Sequence, residues 1–469
     1  MSSFRSGFVS LDKEIAVDDV PVSGRFPDWL RGTLIRNGPA KFEVGVQHYH
    51  HWFDGLAMLH KFSFAGGRVS YANKFLRSRA FTRAEQTGKI SYGEFATDPC
   101  RSIFSRIATL FTREPADNAA VNVTRIADGF VALTETPLPV QFDPTTLATL
   151  GFPEYEQRVP GQITTAHPHY DGAHQTLISY LTHVSRKSTY NVYAMARGSN
   201  SQALIGSIAV GEPAYMHSFG MTEHYVVLAE FSFFFNPIGL ALKLKPYIGN
   251  ARWKPERGVR FFVIDRRNGS VISTAQAEAF FAFHHVNAFE QDGGVLVDVS
   301  AYPDTAIIDR LFLNRLNQPD GGAVPGGELR RYRIPLRGSH AEYEVLSDEA
   351  IDLPRINYRD HNGCDYRYTY GMSVRKDRPN DFLNQLVKID VHERTSKVWH
   401  QDGCYPGEPV FVSAPGAQAE DGGVVLSLVL DSTRDNSFLL ALAGDSFEEL
   451  ARAELPHRIP FGLHGQFFE

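Results

Sequence analysis

The stretch DGGVLVDV, residues 292–299, places a turn sequence directly before a short apolar run. Asp and Gly tolerate the positive φ that a two-residue hairpin turn needs at both central positions. The run after the turn is rich in Val and Leu and has the length of a strand rather than of a core helix. This stretch therefore predicts a β-hairpin whose second strand is buried.

Turn sequences next to short apolar runs recur along the chain. Further turn signals are Asp128-Gly129, Asp171-Gly172, Asn268-Gly269, Asp402-Gly403 and Asp421-Gly422-Gly423. Strands are predicted at residues 130–134, 226–228, 261–264, 294–299 and 423–429. Helical periodicity is scarce, and its best example is Cys100 to Thr112, with apolar residues spaced by three and four. We therefore predict an all-β protein, and this pattern alone leaves a sandwich, a barrel or a propeller open.

Composition excludes several function classes. The net charge is −6 and there is no basic run, so nucleic acid is not an expected partner, and no obligate protein partner is implied. The three cysteines, Cys100, Cys364 and Cys404, form no CxxC pair, which is typical of a reducing compartment without disulfides. We see no linker or shift in composition and expect residues 1–469 to form a single domain.

The N-terminal sequence lacks the apolar stretch of a secretory signal, so a cytoplasmic protein is expected. The most apolar segment, Val226 to Lys243, is interrupted by Glu230, Asn236 and Pro237 and is not a membrane span. Two interpretations of it remain open. Its aromatic and aliphatic residues, Phe231 to Leu242 above all, lie in a membrane interface as a peripheral lipid contact, or they form a buried strand followed by a loop.

Four of the 18 histidines stand out by context, each at a turn or strand edge beside a hydrophobic stretch. They are His167 in TTAHPHYD, His217 in AYMHSFGM, His284 in AFHHVNAFE and His464 in PFGLHGQFFE. Their wide separation in sequence excludes a local zinc-finger spacing. If they form one site, the fold must bring distant segments together.

The chain resembles the carotenoid cleavage oxygenases almost end to end. The resemblance rests on many motifs in the same order: PDWLRGTLIRNGP (27–39), HHWFDGLAMLH (50–60), TDPCRSIFSR (97–106), LTETPLP (133–139), AHPH (166–169), MHSF (216–219), WKPERGVRFFVI (253–264), FHHVNAFE (283–290), PRINY (354–358), YPGEPVFVS (405–413), DGGVVLSLVLD (421–431) and LHGQFFE (463–469). It implies a seven-bladed β-propeller with a helical or loop cap over one face. It also implies Fe(II)-dependent cleavage of a C=C bond by O2, with a carotenoid or apocarotenoid giving two aldehyde or ketone products.

The resemblance assigns the iron ligands to His167, His217, His284 and His464, with one Fe(II) per chain. It leaves the neighbouring His169 and His285 as non-ligands. It offers no ligand in the cluster His48, His50 and His51, for which a loop lining is expected.

Three carboxylates are expected one shell out from the metal, because ligating imidazoles usually donate their outer N–H to a carboxylate. The resemblance places two of them at Glu135 and Glu408. The third position holds Asp352, whose side chain is one methylene shorter than Glu. We expect Asp352 to reach its histidine through a water or by a shifted backbone.

The substrate pocket is assigned to Phe53, Val121, Thr134 and Phe283. Relatives that cleave phenolic alkenes, such as stilbenoids, carry a Lys at the position of Thr134, so this alternative is disfavoured. A non-oxidative activity like that of the retinoid isomerohydrolase stays open, because the iron-binding motifs are shared. A propeller that only binds proteins would leave four such histidines without a role.

Overall fold

The computed structural model describes residues 4–99, 115–242, 245–318 and 324–469. The helix predicted at Cys100 to Thr112 lies outside these ranges. Within them, seven antiparallel sheets of four to six strands form the blades of a β-propeller, so the predicted fold class is confirmed.

We number the blades 1 to 7 in chain order. Their strands are, for blade 1, Ala16–Val17, Gly32–Lys41, Leu56–Ala65, Arg68–Phe75 and Gly465–Phe468; for blade 2, Asn122–Ile126, Gly129–Leu133, Val140–Phe142 and Thr149–Gly151; for blade 3, Ile163–Thr164, His169–Asp171, Thr176–His183, Ser188–Ala196 and Ala203–Val210; for blade 4, Gly220–Met221, Tyr225–Glu230, Val259–Asp265 and Val271–Ala277; for blade 5, His285–Gln291, Gly294–Ala301, Glu328–Pro335 and Glu342–Val345; for blade 6, Asp352–Arg355, Tyr368–Ser373, Gln385–Asp390 and Thr395–Trp399; and for blade 7, Val22–Gly24, Cys404–Pro406, Val410–Ser413, Gly423–Asp431, Asn436–Ala443 and Glu449–Glu454.

Smaller elements lie in the segments between the blade strands and before the first of them. Two-stranded sheets pair Glu43–Val44 with Gln47–His48 and Phe233–Phe235 with Ala251–Trp253. The helices are α1 (Arg79–Thr87), α2 (Pro237–Leu242), α3 (Ala306–Arg310), α4 (Leu313–Leu316) and α5 (Tyr358–His361), with 3₁₀ turns at Phe4–Phe8, Trp52–Asp54, Ile248–Asn250 and Pro255–Arg257.

The two ends of the chain close the ring. The last strand, Gly465–Phe468, pairs with Gly32–Lys41 and completes blade 1. The early strand Val22–Gly24 pairs with Glu449–Glu454 and completes blade 7. Each end thus supplies an edge strand to a sheet built mainly from the other end of the chain, which joins blades 1 and 7.

The long predicted strands are confirmed with small extensions. Gly294–Ala301 is buried along its whole length, as expected for a strand covered on both faces. In the turn before it, Asp292 has φ 50° and Gly293 has φ 70°, as a two-residue turn of this kind requires. At Asp128-Gly129, Asp171-Gly172 and Asp421-Gly422 the prediction of positive φ is wrong. At Asp421-Gly422 the chain follows a longer loop.

The expectation of a lipid-facing Phe231 to Leu242 is wrong for its aromatic residues. Phe231, Phe233, Phe234 and Phe235 are all buried in the core, where ring packing and hydrophobic burial hold them. Ile238 in α2, by contrast, is 70% exposed. Among the described residues, no helix is long and apolar enough to cross a bilayer. Cys364 and Cys404 are free thiols.

Candidate metal centre

The four predicted histidines converge. His284 and His464 directly precede edge strands of blades 5 and 1, and His217 lies three residues before the edge strand of blade 4. His167 lies between the two edge strands of blade 3. One nitrogen from each imidazole lies within 4.8 Å of the corresponding nitrogens of the other three. Three of the four histidines are buried and His167 is half-buried. Radial closure of the propeller therefore joins residues that are far apart in sequence.

The positions of the protons on His284 and His464 leave two nitrogen lone pairs that suit a cation. The Nδ1 of His284 lies 2.6 Å from a carboxylate oxygen of Asp352, and the Nδ1 of His464 lies 2.8 Å from one of Glu408. A neutral imidazole carries a single proton, which these two Nδ1 atoms donate to the carboxylates. The two Nε2 atoms therefore face each other with lone pairs only, at 3.3 Å. A bound metal ion would convert this repulsion into coordination.

The imidazoles of His167, His217 and His464 are held neutral. Burial lowers the pKa of His217, and burial lowers that of His464 to about 4. Burial, and next to it the closeness of the other three histidines, with which a charged His167 would compete, places the pKa of His167 well below its usual value. Neutral imidazole is the form that coordinates a metal. The donor set is thus ready for a cation at neutral pH.

Each of three histidines has a carboxylate partner. His217 Nδ1 lies 2.6 Å from Glu135 Oε1, which completes a set with the Asp352 and Glu408 contacts. The Asp352 contact is direct, so the alternative of a bridging water is wrong. A shifted backbone makes it possible: the pairing of Asp352–Arg355 has an irregular register, and Leu353 adopts φ 44°. The shorter side chain is thereby brought within reach.

The three carboxylates have different further partners. Tyr215 donates its hydroxyl to Glu135 at 2.7 Å, and Tyr302 donates its hydroxyl to Asp352. Glu408 instead forms a buried ion pair with a guanidinium group, that of Arg36. These tyrosines and this arginine were not found by sequence reasoning.

A signal for each existed in the sequence. Tyr215 stands two residues before His217, Tyr302 directly follows the buried strand Gly294–Ala301, and Arg36 interrupts an apolar strand. A charged residue in such a strand is costly to bury unless it is paired.

The neighbouring histidines lie outside the cluster. The His169 ring contacts Tyr358, Asn362 and the carbonyl of Phe219. The His285 Nδ1 lies 2.8 Å from the hydroxyl of Ser218.

In the sequence cluster 48–51, His48 and His50 are exposed. The His51 ring is buried against the Ile308 carbonyl. None of these histidines belongs to the group that could hold a metal.

Three of the four predicted pocket residues, Phe53, Val121 and Phe283, lie near the cluster. The ring of Phe283 is 5.6 Å from that of His217, and the ring of Phe53 is 5.9 Å from that of Phe283. The carbonyl of Val121 accepts the backbone N–H of His464 at 3.1 Å. An aromatic wall therefore extends outward from the metal ligands.

Thr134 lines a pocket formed by residues of blades 2 and 3, whose lining includes neither the four histidines nor Phe53, Val121 and Phe283. Thr165, whose hydroxyl donates to the His217 carbonyl at 2.5 Å, lies in the same wall. Pro168, the residue after His167, also belongs to it. The pocket thus reaches the backbone that carries two of the histidines.

Four imidazoles at the convergence of the blades, backed by three carboxylates, define a propeller with a four-histidine cluster that could hold a metal ion. The chain belongs to the retinal pigment epithelial membrane protein family, which includes the carotenoid oxygenases, and the family model matches residues 8–469.

The curated relatives extend over almost the whole chain. It is 34% identical to the mitochondrial carotenoid-cleaving dioxygenase of Mustela putorius furo, over 95% of this chain and 93% of the relative. It is 33% identical to β,β-carotene 15,15′-dioxygenase of Homo sapiens, over 95% and 91%. It is 37% identical to the chloroplastic carotenoid cleavage dioxygenase 8 homolog B of Oryza sativa subsp. japonica, over 94% and 81%.

Solved structures share the fold. A variant of the Synechocystis apocarotenoid oxygenase superposes with a TM-score of 0.88 at 26% identity, covering 99% of this chain and 98% of the other. The cobalt-substituted form of that enzyme superposes with a TM-score of 0.87 at 26% identity and the same coverage.

Proposed function

We propose that this protein is an iron(II)-dependent dioxygenase that cleaves one C=C bond of a carotenoid or apocarotenoid with O2, giving two aldehyde or ketone products. The observation that carries the proposal is the convergence of the His167, His217, His284 and His464 nitrogens within 4.8 Å. Membership of the carotenoid oxygenase family supports the reaction class.

His167, His217, His284 and His464 would hold the metal ion. Imidazole suits iron, zinc, copper and nickel alike, so the ligands do not select among these metals. We assign iron because the relatives are named dioxygenases and zinc has no redox chemistry. Bound Fe(II) would supply activation of O2, while Glu135, Asp352 and Glu408 fix the imidazole orientations.

The aromatic wall suits an apolar polyene. Phe283 and Phe53 offer flat apolar faces near the ligands, where shape and dispersion hold a substrate without hydrogen bonds. The relatives' names refer to carotenoids, which are substrates of this kind. We infer a cytoplasmic protein that takes its substrate from lipid by peripheral contact. Pairing of Val22–Gly24 into blade 7 and of Gly465–Phe468 into blade 1 supports residues 1–469 as a single domain.

The direct test is incubation of the purified, iron-loaded protein with carotenoids, apocarotenals and stilbenoids under air, followed by mass identification of the carbonyl products. We expect paired aldehydes or ketones from at least one carotenoid or apocarotenal, with none under argon. Isomerised or hydrolysed retinoid esters without carbonyl products would instead favour the isomerohydrolase-like activity. Absence of turnover by iron-loaded protein on the whole panel would contradict the proposal.

A further inference from the structure

Glu408 is the most strongly charge-compensated carboxylate of the metal centre. One of its oxygens forms an ion pair with Arg36, which is only 3% exposed, and the other lies 3.6 Å from a guanidinium nitrogen of Arg355. The backbone N–H of Gly465 donates to the same carboxylate at 2.9 Å. Burial raises the pKa of Glu408, but Arg355, His464 and Arg36 outweigh it and hold the pKa at about 2.

The other two carboxylates have no such compensation in their hydrogen bonds. Glu135 accepts from the hydroxyl of Tyr215, and Asp352 accepts from that of Tyr302 and from the backbone N–H of Leu353. These donors are neutral. The Glu408–His464 pair is thus the one whose carboxylate charge is offset by a buried arginine.

Arg36 also holds the segment that carries His464. Its second terminal nitrogen donates to the Leu463 carbonyl at 2.9 Å. The next residue, Asn37, donates its N–H to the His464 carbonyl at 2.8 Å and accepts the Leu463 N–H at 2.9 Å. Gly465, the residue after His464, begins the ring-closing strand and pairs with Arg36. The Arg36 side chain therefore contacts the carboxylate and the segment of the metal ligand, while the Arg36 backbone pairs with the closing strand.

We propose that Arg36 is a positioning residue that clamps the Glu408–His464 pair and couples metal binding to closure of the propeller ring. The inference rests on the metal site proposed above. In the metal-free protein, the guanidinium keeps Glu408 and hence His464 in place, so the last ligand is preorganised. Because a metal bound to His464 favours the closed ring, metal binding and pairing of Gly465–Phe468 stabilise each other.

The test measures metal affinity and local opening separately. Co²⁺ serves as the probe, since a structural neighbour has been obtained in cobalt-substituted form. We expect Arg36→Met to weaken Co²⁺ binding by roughly 10- to 100-fold, the scale of outer partners of ligating histidines. In the metal-free variant, hydrogen exchange of residues 463–468 should be faster than in the wild type. Arg36→Lys keeps the charge but loses the two parallel donors of the guanidinium group. Its Co²⁺ affinity and exchange rate should lie between those of the wild type and of Arg36→Met.

A double-mutant cycle and a matched control complete the experiment. In a Glu408→Gln background, Arg36→Met should weaken Co²⁺ binding clearly less than it does alone, because the two residues act through one contact. Arg331, which is partly buried, forms an ion pair with the buried Asp298 in blade 5, outside the metal site. Arg331→Met should reduce stability but leave Co²⁺ affinity within about twofold, as expected for an independent site.

The outcomes separate the two proposals. If the wild type binds no Co²⁺ and no Fe²⁺, the proposed metal site is wrong. If the wild type binds and Arg36→Met matches it in both affinity and exchange, the clamp is wrong. Should Arg36→Met not fold, Arg36→Lys decides on the same two measurements. Equal losses of affinity in the Arg36 and Arg331 variants would also reject the clamp.

Discussion

At the residue scale, the lone pairs of the four histidines decide the chemistry. The Nε2 atoms of His284 and His464 face each other at 3.3 Å while their Nδ1 protons are committed to carboxylates. Replacing any ligand histidine by Ala should therefore lower iron affinity by more than the roughly 10- to 100-fold loss typical of an outer partner. Iron content after dialysis against a chelator, measured by elemental analysis, checks this for each variant.

His169→Ala and His285→Ala are the matched controls for the ligand variants. Both histidines lie within two residues of a ligand in sequence. Their rings nevertheless form hydrogen bonds with residues outside the cluster. Each variant should retain most of its iron. Loss of iron in His169→Ala together with retention in His167→Ala would overturn the ligand assignment.

The three carboxylates should contribute to similar extents, because each makes a direct contact of 2.6 to 2.8 Å with its histidine. Glu135→Gln, Asp352→Asn and Glu408→Gln should each weaken iron binding or turnover by roughly 10- to 100-fold. Metal titration and steady-state kinetics measure both effects. A markedly smaller loss for Asp352→Asn would contradict the direct contact.

The reach of Asp352 shows where sequence reasoning about the site ends. The residue type and the motif identified the position, and the missing methylene raised the question of a water or a shifted backbone. The answer depends on the irregular register of one strand and on the left-handed conformation of Leu353. A Leu with positive φ is held by tertiary structure and has no local sequence signal. The contact could not have been derived without the fold.

At the scale of elements, long and short strands differ in how far they were predictable. Gly294–Ala301 and Gly423–Asp431 are continuous apolar runs next to turn signals, and their burial follows from composition. Val22–Gly24 is exposed throughout and is a strand because Glu449–Glu454 offers an edge. Such short edge strands depend on a partner distant in sequence, which local patterning does not encode.

Helix α2 carries the remaining prediction of lipid contact. Ile238 is 70% exposed there, while the neighbouring phenylalanines are buried. Moving one such side chain into an apolar environment is worth roughly 1.5–3 kcal/mol at most. Ile238→Ser should therefore weaken liposome binding, measured by flotation, by at most roughly 10- to 100-fold. Val271→Ser, at an exposed valine of blade 4, is the control and should float like the wild type.

The buried phenylalanines give a contrasting expectation. Phe233→Ser should lower thermal stability rather than flotation, since its ring packs against Tyr215 and Phe281. If Ile238→Ser and the wild type float alike, α2 is not the lipid contact.

At the scale of the whole molecule, the propeller explains why residues separated by up to 297 positions, those of His167 and His464, form one centre. The turn and strand pattern predicted an all-β chain but not the number of blades. Ring closure by Gly465–Phe468 is a property of the complete circle, so it has no counterpart in any local window. Here the resemblance to a known family supplied what periodicity could not.

The choice of substrate is also a property of the whole site, and Thr134 tests it. A buried phenol needs a hydrogen-bonding partner, and a site without one rejects it by about 1–3 kcal/mol. Thr134 is short and neutral, and it lines a pocket beside the backbone of His167 and His217. It cannot stabilise a phenolate as a Lys would. An apolar polyene makes no such demand and meets the rings of Phe283 and Phe53 instead.

We therefore expect the iron-loaded protein to cleave at least one carotenoid or apocarotenal and to leave resveratrol and isoeugenol almost untouched. Rates with each substrate in the same detergent, followed by product mass and by loss of polyene absorbance, make the comparison. The protein's own carotenoid turnover is the internal control for active iron, so inactivity toward phenols cannot come from an empty site. Robust cleavage of a 4-hydroxystilbene by a preparation that cleaves no carotenoid would overturn the assignment of the substrate, while leaving the four-histidine centre in place.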